Sequence, residues 1–193
     1  MKKLSLDVIK KSIHNKGYKW FDNELNIIGV RTADMTPDKW NDFMTFSWKD
    51  AAGKWNFVGF EATTDPGLFY LNNPRNVKGV GILVPDQYIN IWQWAMGHNG
   101  YMQFLQLGGP VKAYRDNNRD SYFDMDPKKI DTGYFGMNGH RAHPTVKQQI
   151  VDKYSEMCQV IRSAEAWKKV EKIQSENIQK FYSYTLLTES EII

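Results

Sequence analysis

Residues 42–63 read DFMTFSWKDAAGKWNFVGFEAT and decide the fold class. Two runs rich in aromatic and β-branched residues, 42–48 and 54–63, flank the polar segment KDAAGK. Such runs are typical of strands, and a short polar connection that contains glycine is typical of the turn in a hairpin. The stretch therefore predicts two antiparallel strands joined by a turn.

The same pattern continues along most of the chain. Short aromatic or β-branched runs separated by Asp, Asn, Gly and Pro favour further strands. They lie at 25–32, 79–84, 88–95, 102–107, 111–115, 133–140 and 181–187. We therefore expect a mainly β fold with flanking helices, which is a β-rich α+β fold.

Helical periodicity appears near each end of the chain. Apolar residues at helical spacing precede the glycine of NKGY and predict a short helix over residues 5–15. After Ser163, which can cap the first turn, apolar residues again share one face and predict a helix over 163–180. The length suits one domain over residues 1–193, with an N-terminal helical segment at 1–20 and a β-rich core at 21–193.

Charge and hydropathy exclude some classes of partner. Lys and Arg total 25 against 22 Asp and Glu, without a dense basic run, so we expect no nucleic-acid partner. The apolar runs are too short to span a bilayer, so we expect no membrane insertion. The basic opening MKKLSLDVIKK is interrupted by Asp7, Lys10 and Lys11, which predicts synthesis in the cytoplasm without a signal peptide.

Residues 139–160, GHRAHPTVKQQIVDKYSEMCQV, contain the single cysteine and two of the four histidines. A nucleophilic thiol needs a neighbouring base, and histidine can accept its proton and later return it. His140 ends one predicted strand and Cys158 opens the short apolar run CQVI, so both could face one groove. His143 precedes Pro144 in the connecting loop and is the weaker base candidate. The alternative is that Cys158 is a buried apolar residue.

A strand ending in histidine, a loop, and Ser-x-x-Cys leading into a strand and helix resemble the catalytic segment of the L,D-transpeptidase (YkuD-type) family. The resemblance implies mixed sheets with a short N-terminal helix and a helix after the catalytic cysteine. It also implies that Cys158 attacks peptide bonds in peptidoglycan stems, that His140 is the base and that Ser155 opens the cysteine motif. No cofactor is expected.

Substrate contacts follow from the same comparison. The family usually has His-Gly before the cysteine, where this chain has Glu156 and Met157, and Asn or Arg shortly after it, where this chain has Gln159. Backbone N–H groups at Met157 and Cys158 would hold the oxyanion. The side chains of Gln159 and Arg141 would contact a substrate carbonyl or carboxylate.

The amino-acid sequence of other stretches resembles that of cell-wall lysis proteins of bacteriophages. Among these stretches are TTDPGLFYLNNP (63–74), KGVGILVPDQY (78–88) and DTGYFGMNGHRA (131–142). This similarity implies an endolysin-like hydrolase of bacterial peptidoglycan, released from the cytoplasm to act on the cell wall in the periplasm. Two alternatives stay open. One is a non-catalytic cell-wall-binding or virion-associated module, and the other is an L,D-transpeptidase that forms cross-links.

Asp116, Asn118 and Asp120 alternate as in the first half of a calcium-binding loop. The sixth position is Ser121 where such loops have glycine, and the twelfth is Pro127 where they have glutamate. A polar turn between strands is therefore the preferred interpretation, and calcium is a weak candidate. Zinc would need three or four clustered ligands, which the spacing does not offer.

Overall fold

The computed structural model describes residues 3–193, and the chain there is mainly β, with 35% strand and 19% helix. The helices are α1 (Leu6–Asn15), α2 (Leu68–Asn72) and α3 (Ala164–Glu176). The strands are β1 (Asn26–Arg31), β2 (Asp42–Lys49), β3 (Trp55–Thr63), β4 (Val80–Leu83), β5 (Gln87–Met96), β6 (Met102–Gln106), β7 (Val111–Asp116), β8 (Ile130–Gly133), β9 (Gly139–Arg141), β10 (Gln159–Ile161) and β11 (Tyr182–Thr188). The predicted β-rich α+β class is confirmed.

Residues 1 and 2 of the predicted N-terminal segment lie outside the described residues. Within residues 3–193, no helix is long and apolar enough to cross a bilayer.

Within residues 3–193, eight strands close into a barrel in the order β1-β11-β5-β6-β9-β10-β3-β2. The predicted hairpin is β2 and β3, paired from Asp42 opposite Ala62 to Lys49 opposite Trp55. Its turn contains Gly53 at φ 78°, a conformation that residues with a Cβ rarely adopt. The neighbours β1–β11 and β9–β10 are parallel, and β4, β7 and β8 form a separate three-stranded sheet.

Strand β1 is buried on both of its faces, because one face packs into the barrel and the other against α1. On β1, Ile27 packs into the main core, whereas Ile28 and Val30 pack against α1. The α1 side chains of Ile9 and Ile13 are fully buried in that second cluster. Successive side chains of a strand point to opposite faces, so a strand covered on both sides is apolar throughout. This explains why β1 is buried along its whole length.

Helix α3 follows β10 directly and packs against β9 and β10. It begins after Ser163, whose side chain accepts a hydrogen bond from the N–H of Ala166 at 3.2 Å. Its residue Trp167 is fully buried and stacks on Trp94 with 5.7 Å between ring centroids. The helix ends at Glu176, earlier than predicted, because the Asn177 side chain bonds back to a carbonyl of the last turn. Helix α3 thus holds these two short strands against the core.

Residues 133–140, predicted as one strand, are instead the end of β8, a loop over 134–138 and the start of β9. Gly136 adopts φ 70° within this loop, so the chain is not extended between β8 and β9. The prediction was wrong there because the aromatic residues Tyr134 and Phe135 favour a strand locally. The loop brings backbone groups close to Cys158.

A buried ion cluster joins the ends of β1, β2 and β3. The Nε of Arg31 lies 2.8 Å from the carboxylate of Asp65. Its two Nη atoms donate to the carbonyls of Leu83 and Thr64, each at 2.9 Å. The carboxylate of Asp42 accepts from the N–H and hydroxyl of Thr64, each at 2.8 Å. The segment after β3 is therefore fixed by charge-assisted hydrogen bonds in the interior.

Candidate active site

Strands β9 and β10 bring His140 and Cys158 to one face of the barrel. They run parallel, with His140 opposite Val160 and Gly139 opposite Gln159. Side chains two apart share a face of a strand, so Cys158 lies on the same face as Val160 and His140. The contacts agree, because Cys158 and Val160 pack in one apolar cluster with Ala142, which lies two residues after His140. The two predicted reactive residues are thus neighbours on one surface.

A groove of about 990 Å³ runs between this face and the three-stranded sheet, and both His140 and Cys158 line it. Other lining residues come from β4, β7, α2, the turn after β5 and the loop 134–138. Its charged lining includes Arg75, Arg115, Arg141, Lys153 and Glu156. The charge of the groove is therefore suited to a substrate that carries carboxylates.

The imidazole of His140 is held in one tautomer by a backbone carbonyl. Its Nδ1 lies 2.8 Å from the carbonyl oxygen of Arg141. A carbonyl can only accept, so Nδ1 carries the proton and Nε2 keeps a free lone pair. Burial lowers the pKa of His140 below its ordinary 6.5, and nearby His98 lowers it further, against the opposing effect of the Arg141 carbonyl. At neutral pH the ring is uncharged and able to accept a proton.

The thiol of Cys158 is protonated at rest. Its Sγ donates to the carbonyl of Gly136 at 3.4 Å. Burial raises its pKa to about 11, the N–H groups of Asn138 and Met157 oppose this rise, and the Glu156 carboxylate adds to it. Cys158 can therefore act as a nucleophile only if a base takes its proton as the new bond forms.

The loop 134–138 beside the thiol is held by Gln106, a residue that sequence analysis did not identify. Its Oε1 accepts from the N–H groups of Phe135 and Met137 at 3.0 and 2.9 Å. The backbone N–H of Gln106 donates to the side-chain oxygen of Asn138 at 2.9 Å. The available signal was a glutamine at a buried position of the apolar strand MQFLQ, since a buried amide needs partners.

Ser155 and Met157 shape the segment that enters Cys158. Ser155 does not line the groove, whereas Met157 borders it with little of its side chain exposed. Ser155 is fully buried, and its hydroxyl donates to the carbonyl of Cys158 at 2.8 Å. Met157 is 5% exposed and packs against Gly81, where an added Cβ would overlap the Met157 sulfur. Glu156 points to the groove, with 3.6 Å between its carboxylate and Arg75.

Gln159 differs from its predicted role in substrate contact. It is fully buried, and alternation places it on the face of β10 opposite to Cys158, inside the barrel. Its Oε1 accepts from the hydroxyl of Tyr184 at 2.5 Å, and its Nε2 donates to the carbonyl of Met157 at 3.2 Å. A side chain held in this way does not reach the groove.

Arg141 lines the groove, as contact with a carboxylate requires. Its guanidinium carbon lies 4.0 Å from the centroid of the Tyr101 ring, a cation–π contact that orients the group. The Tyr101 hydroxyl also donates to the carbonyl of Arg141 at 3.3 Å. His143, in the loop after β9, accepts a hydrogen bond from the N–H of Thr145 at 3.2 Å.

The candidate calcium residues Asp116, Asn118 and Asp120 lie in a polar turn after β7. The amide of Asn118 donates to the carboxylates of Asp120 and Asp124, each at 2.8 Å. Across residues 3–193 the structure contains no cluster of three or more His, Cys, Asp and Glu side chains suited to a metal ion. The hydrogen bonds account for the alternating polar residues as a turn.

Comparison of the chain with protein-family models, curated proteins and solved structures found no match. The similarity to L,D-transpeptidases therefore depends on the residues of the segment 139–160.

Proposed function

We propose that the protein is a cysteine peptidase that cleaves the stem peptides of bacterial peptidoglycan through an acyl-enzyme, on an L,D-transpeptidase-like catalytic segment. The observation that carries the proposal is the pair formed by Cys158 and His140. They occupy one face of adjacent parallel strands and line the same groove. Neither the thiol nor the imidazole is charged at neutral pH, which is the starting state for base-assisted attack.

The reaction starts when the sulfur of Cys158 attacks the carbonyl carbon of the scissile amide. Nε2 of His140 takes the thiol proton as the S–C bond forms, and the carbonyl oxygen becomes an oxyanion. The imidazolium then gives this proton to the departing amine as the C–N bond breaks, which leaves a thioester on Cys158. Water, activated by the neutral His140, attacks the thioester and releases the acid and the free thiol.

The charge of the groove supports a stem peptide as substrate. Such peptides carry free carboxylates, and Arg141 and Lys153 present cations beside the reactive pair. Lys153 lies 4.3 Å from the centroid of the Phe69 ring, so its ammonium is held over an apolar wall. Cations fixed by aromatic rings bind a carboxylate with less loss of side-chain entropy than free ones.

The reaction product distinguishes hydrolysis from cross-linking. We propose hydrolysis, as in an endolysin that reaches the wall after release from the cytoplasm. If an amine of a second stem replaced water, the same thioester would give an L,D-transpeptidase that forms cross-links. Purified peptidoglycan incubated with the protein should release stem fragments with new carboxyl termini, identified by mass spectrometry. Cross-linked dimers would instead show transpeptidation, and unchanged peptidoglycan would contradict both.

The pH dependence of kcat/KM should report the His140 imidazole. Only the neutral ring accepts the thiol proton, so kcat/KM rises with pH through the lowered pKa of His140, below 6.5. It then stays level until the thiol ionises near its pKa of about 11. Initial rates on a soluble stem peptide, measured from pH 4 to 9, test this expectation.

The variant His98→Gln is the matched control for that profile. His98 lines the groove, and its electrostatic effect lowers the pKa of His140. Glutamine removes that effect and so raises the pKa of His140, and the acidic limb of the profile should move to higher pH with little change at the plateau. An acidic limb centred above pH 7 in the unchanged protein would exclude His140 as the base.

A second candidate function is a non-catalytic cell-wall-binding module. The observation that favours it is the Cys158 thiol itself, whose pKa of about 11 results chiefly from burial and whose proton is donated to Gly136. A binding module should sediment with insoluble peptidoglycan and leave it undigested, and Cys158→Ala should sediment equally well. Digestion that depends on Cys158 would reject this candidate.

A further inference from the structure

We infer that Gln159 and Tyr184 form a positioning pair, which aims the backbone N–H of Cys158 into the groove as an oxyanion donor. The inference rests on the proposed function and assigns these two residues an indirect role, because neither contacts the groove. Both are fully buried in the barrel, Gln159 on the face of β10 opposite to the thiol and Tyr184 on β11. They act through the peptide unit that joins Met157 to Cys158.

Both ends of the Gln159 amide are fixed. Its Oε1 accepts from the Tyr184 hydroxyl at 2.5 Å. Its Nε2 donates to the carbonyl of Met157 at 3.2 Å and to that of Thr64 at 3.5 Å. Because Oε1 is occupied by a hydroxyl donor and Nε2 by carbonyl acceptors, the amide has one satisfied orientation. The carbonyl of Met157 is thereby turned towards the barrel interior.

The direction of the Cys158 N–H follows from the peptide plane. The chain contains no cis peptide among its described residues. In a trans peptide the C=O and N–H bonds point in opposite directions. Because the carbonyl of Met157 accepts from the Gln159 side chain inside the barrel, we place the N–H of Cys158 on the opposite side of this peptide unit, where the thiol lines the groove. An oxyanion formed on attack by the sulfur would lie within reach of this N–H.

The Tyr184 hydroxyl occupies a space that exists because β1 has a glycine beside it. Gly29 on β1 lies beside Tyr184, and a Cβ added there would overlap the Tyr184 hydroxyl. The Tyr184 ring also packs against Trp92 in a tilted arrangement, with 4.5 Å between ring centroids. The hydroxyl therefore has a fixed position from which to hold Gln159.

The test compares Tyr184→Phe with Tyr182→Phe. Tyr182 is a control on the same strand, since its phenol is also fully buried. Its hydroxyl accepts from the Gln174 side chain at 2.9 Å and from the N–H of Gln179 at 3.1 Å, and donates to the carbonyl of Asn177 at 3.1 Å. Both variants lose one buried hydroxyl, and Tyr182→Phe, which loses three hydrogen bonds, should unfold at the lower temperature. Only Tyr184→Phe frees the Gln159 amide, so kcat on a stem peptide should fall about tenfold with KM unchanged. Tyr182→Phe should keep kcat within twofold of the unchanged protein.

A second measurement does not depend on turnover. N-acetyl-alaninal adds to a cysteine thiol as a hemithioacetal, in which the thiol proton moves to the former carbonyl oxygen and that oxygen occupies the oxyanion position. Its dissociation constant should rise about tenfold in Tyr184→Phe and not in Tyr182→Phe. Alkylation of Cys158 by iodoacetamide, which forms no oxyanion, should be equal in both variants.

The outcomes separate the two claims. Equal aldehyde affinity in the two variants would overturn the positioning pair, whether or not stem peptides are cleaved. A tenfold loss of aldehyde affinity in Tyr184→Phe supports the pair, even if no stem peptide is cleaved, in which case the proposed function fails alone. If alkylation also slows tenfold in Tyr184→Phe, the Tyr184 hydroxyl affects the reactivity of the Cys158 thiol and not the position of the Cys158 N–H. That outcome would overturn the inference.

Discussion

Cys158→Ala should reduce the release of stem fragments from peptidoglycan by roughly 10³-fold or more, because the thioester cannot form without the sulfur. The fold should tolerate the change. Cys158 is half-buried at the edge of a small apolar cluster, so its truncation should cost less than about 1.5 kcal/mol of unfolding free energy. Fragment release by chromatography and unfolding in urea measure the two effects.

Two controls make the result specific. Ser155→Ala removes a hydroxyl that bonds to the carbonyl of Cys158 but leaves the sulfur, so it should retain measurable cleavage. Co-sedimentation with insoluble peptidoglycan should be unchanged in Cys158→Ala, since the cations of the groove remain. Cleavage by Cys158→Ala at the rate of the unchanged protein would exclude the acyl-enzyme mechanism.

Arg31→Met should have the largest effect on stability, a loss of about 3–5 kcal/mol of unfolding free energy. The guanidinium is buried against Asp65, with Asp42 in the same cluster. Methionine has a similar length but leaves the carboxylates without their cation, and leaves the carbonyls of Leu83 and Thr64 without their donors. Urea unfolding at pH 8 measures the loss.

The matched control is Lys39→Met. Lys39 pairs with Asp34 at 3.0 Å, but both side chains are about half exposed. An exposed ion pair contributes roughly 0–1 kcal/mol, so this variant should be nearly as stable as the unchanged protein. Equal losses in Arg31→Met and Lys39→Met would show that the buried cluster has no special role.

The buried cluster of Arg31, Asp42 and Asp65 should also make the free energy of unfolding depend on pH. Burial and the neighbouring Asp42 raise the pKa of Asp65 to about 7, against the opposing effect of Arg31. Between the ordinary value of 3.8 and about 7, the folded protein binds more protons at Asp65 than the unfolded chain does. This contribution to stability is fully present below the lower value and is lost as pH rises through the higher one. Without Arg31 the pKa rises further, so Arg31→Met should be least damaging at acidic pH.

Sequence reasoning reached the fold class because local signals agreed with the tertiary structure. The hairpin of β2 and β3 has aromatic strands and a glycine at a positive φ in its turn, and each of these is readable residue by residue. The loop 134–138 was missed because its conformation depends on Gln106, which is distant in sequence. The glutamine in an apolar strand indicates that it needs partners, but the local sequence does not say which residues they are.

The site shows the same division. Spacing and residue type suggested His140 and Cys158, and the structure places both on one groove. The direction of Gln159 could not be read, because it depends on which face of β10 lines the barrel. The buried cluster was also missed, because Arg31 and Asp42 lie at ordinary strand boundaries and Asp65 lies in Asp-Pro-Gly, which is typical of a turn.

The central claim is a covalent thioester between Cys158 and the acyl part of a stem peptide. The direct measurement is intact-protein mass spectrometry after rapid acid quenching of a reaction with a soluble stem peptide, followed by fragmentation to locate the added mass. We predict an adduct equal to the peptide less its departing amine, located on Cys158, labile to hydroxylamine and absent from Cys158→Ala. Cleavage of the peptide without any adduct at Cys158, or with an adduct on another residue, would contradict the account.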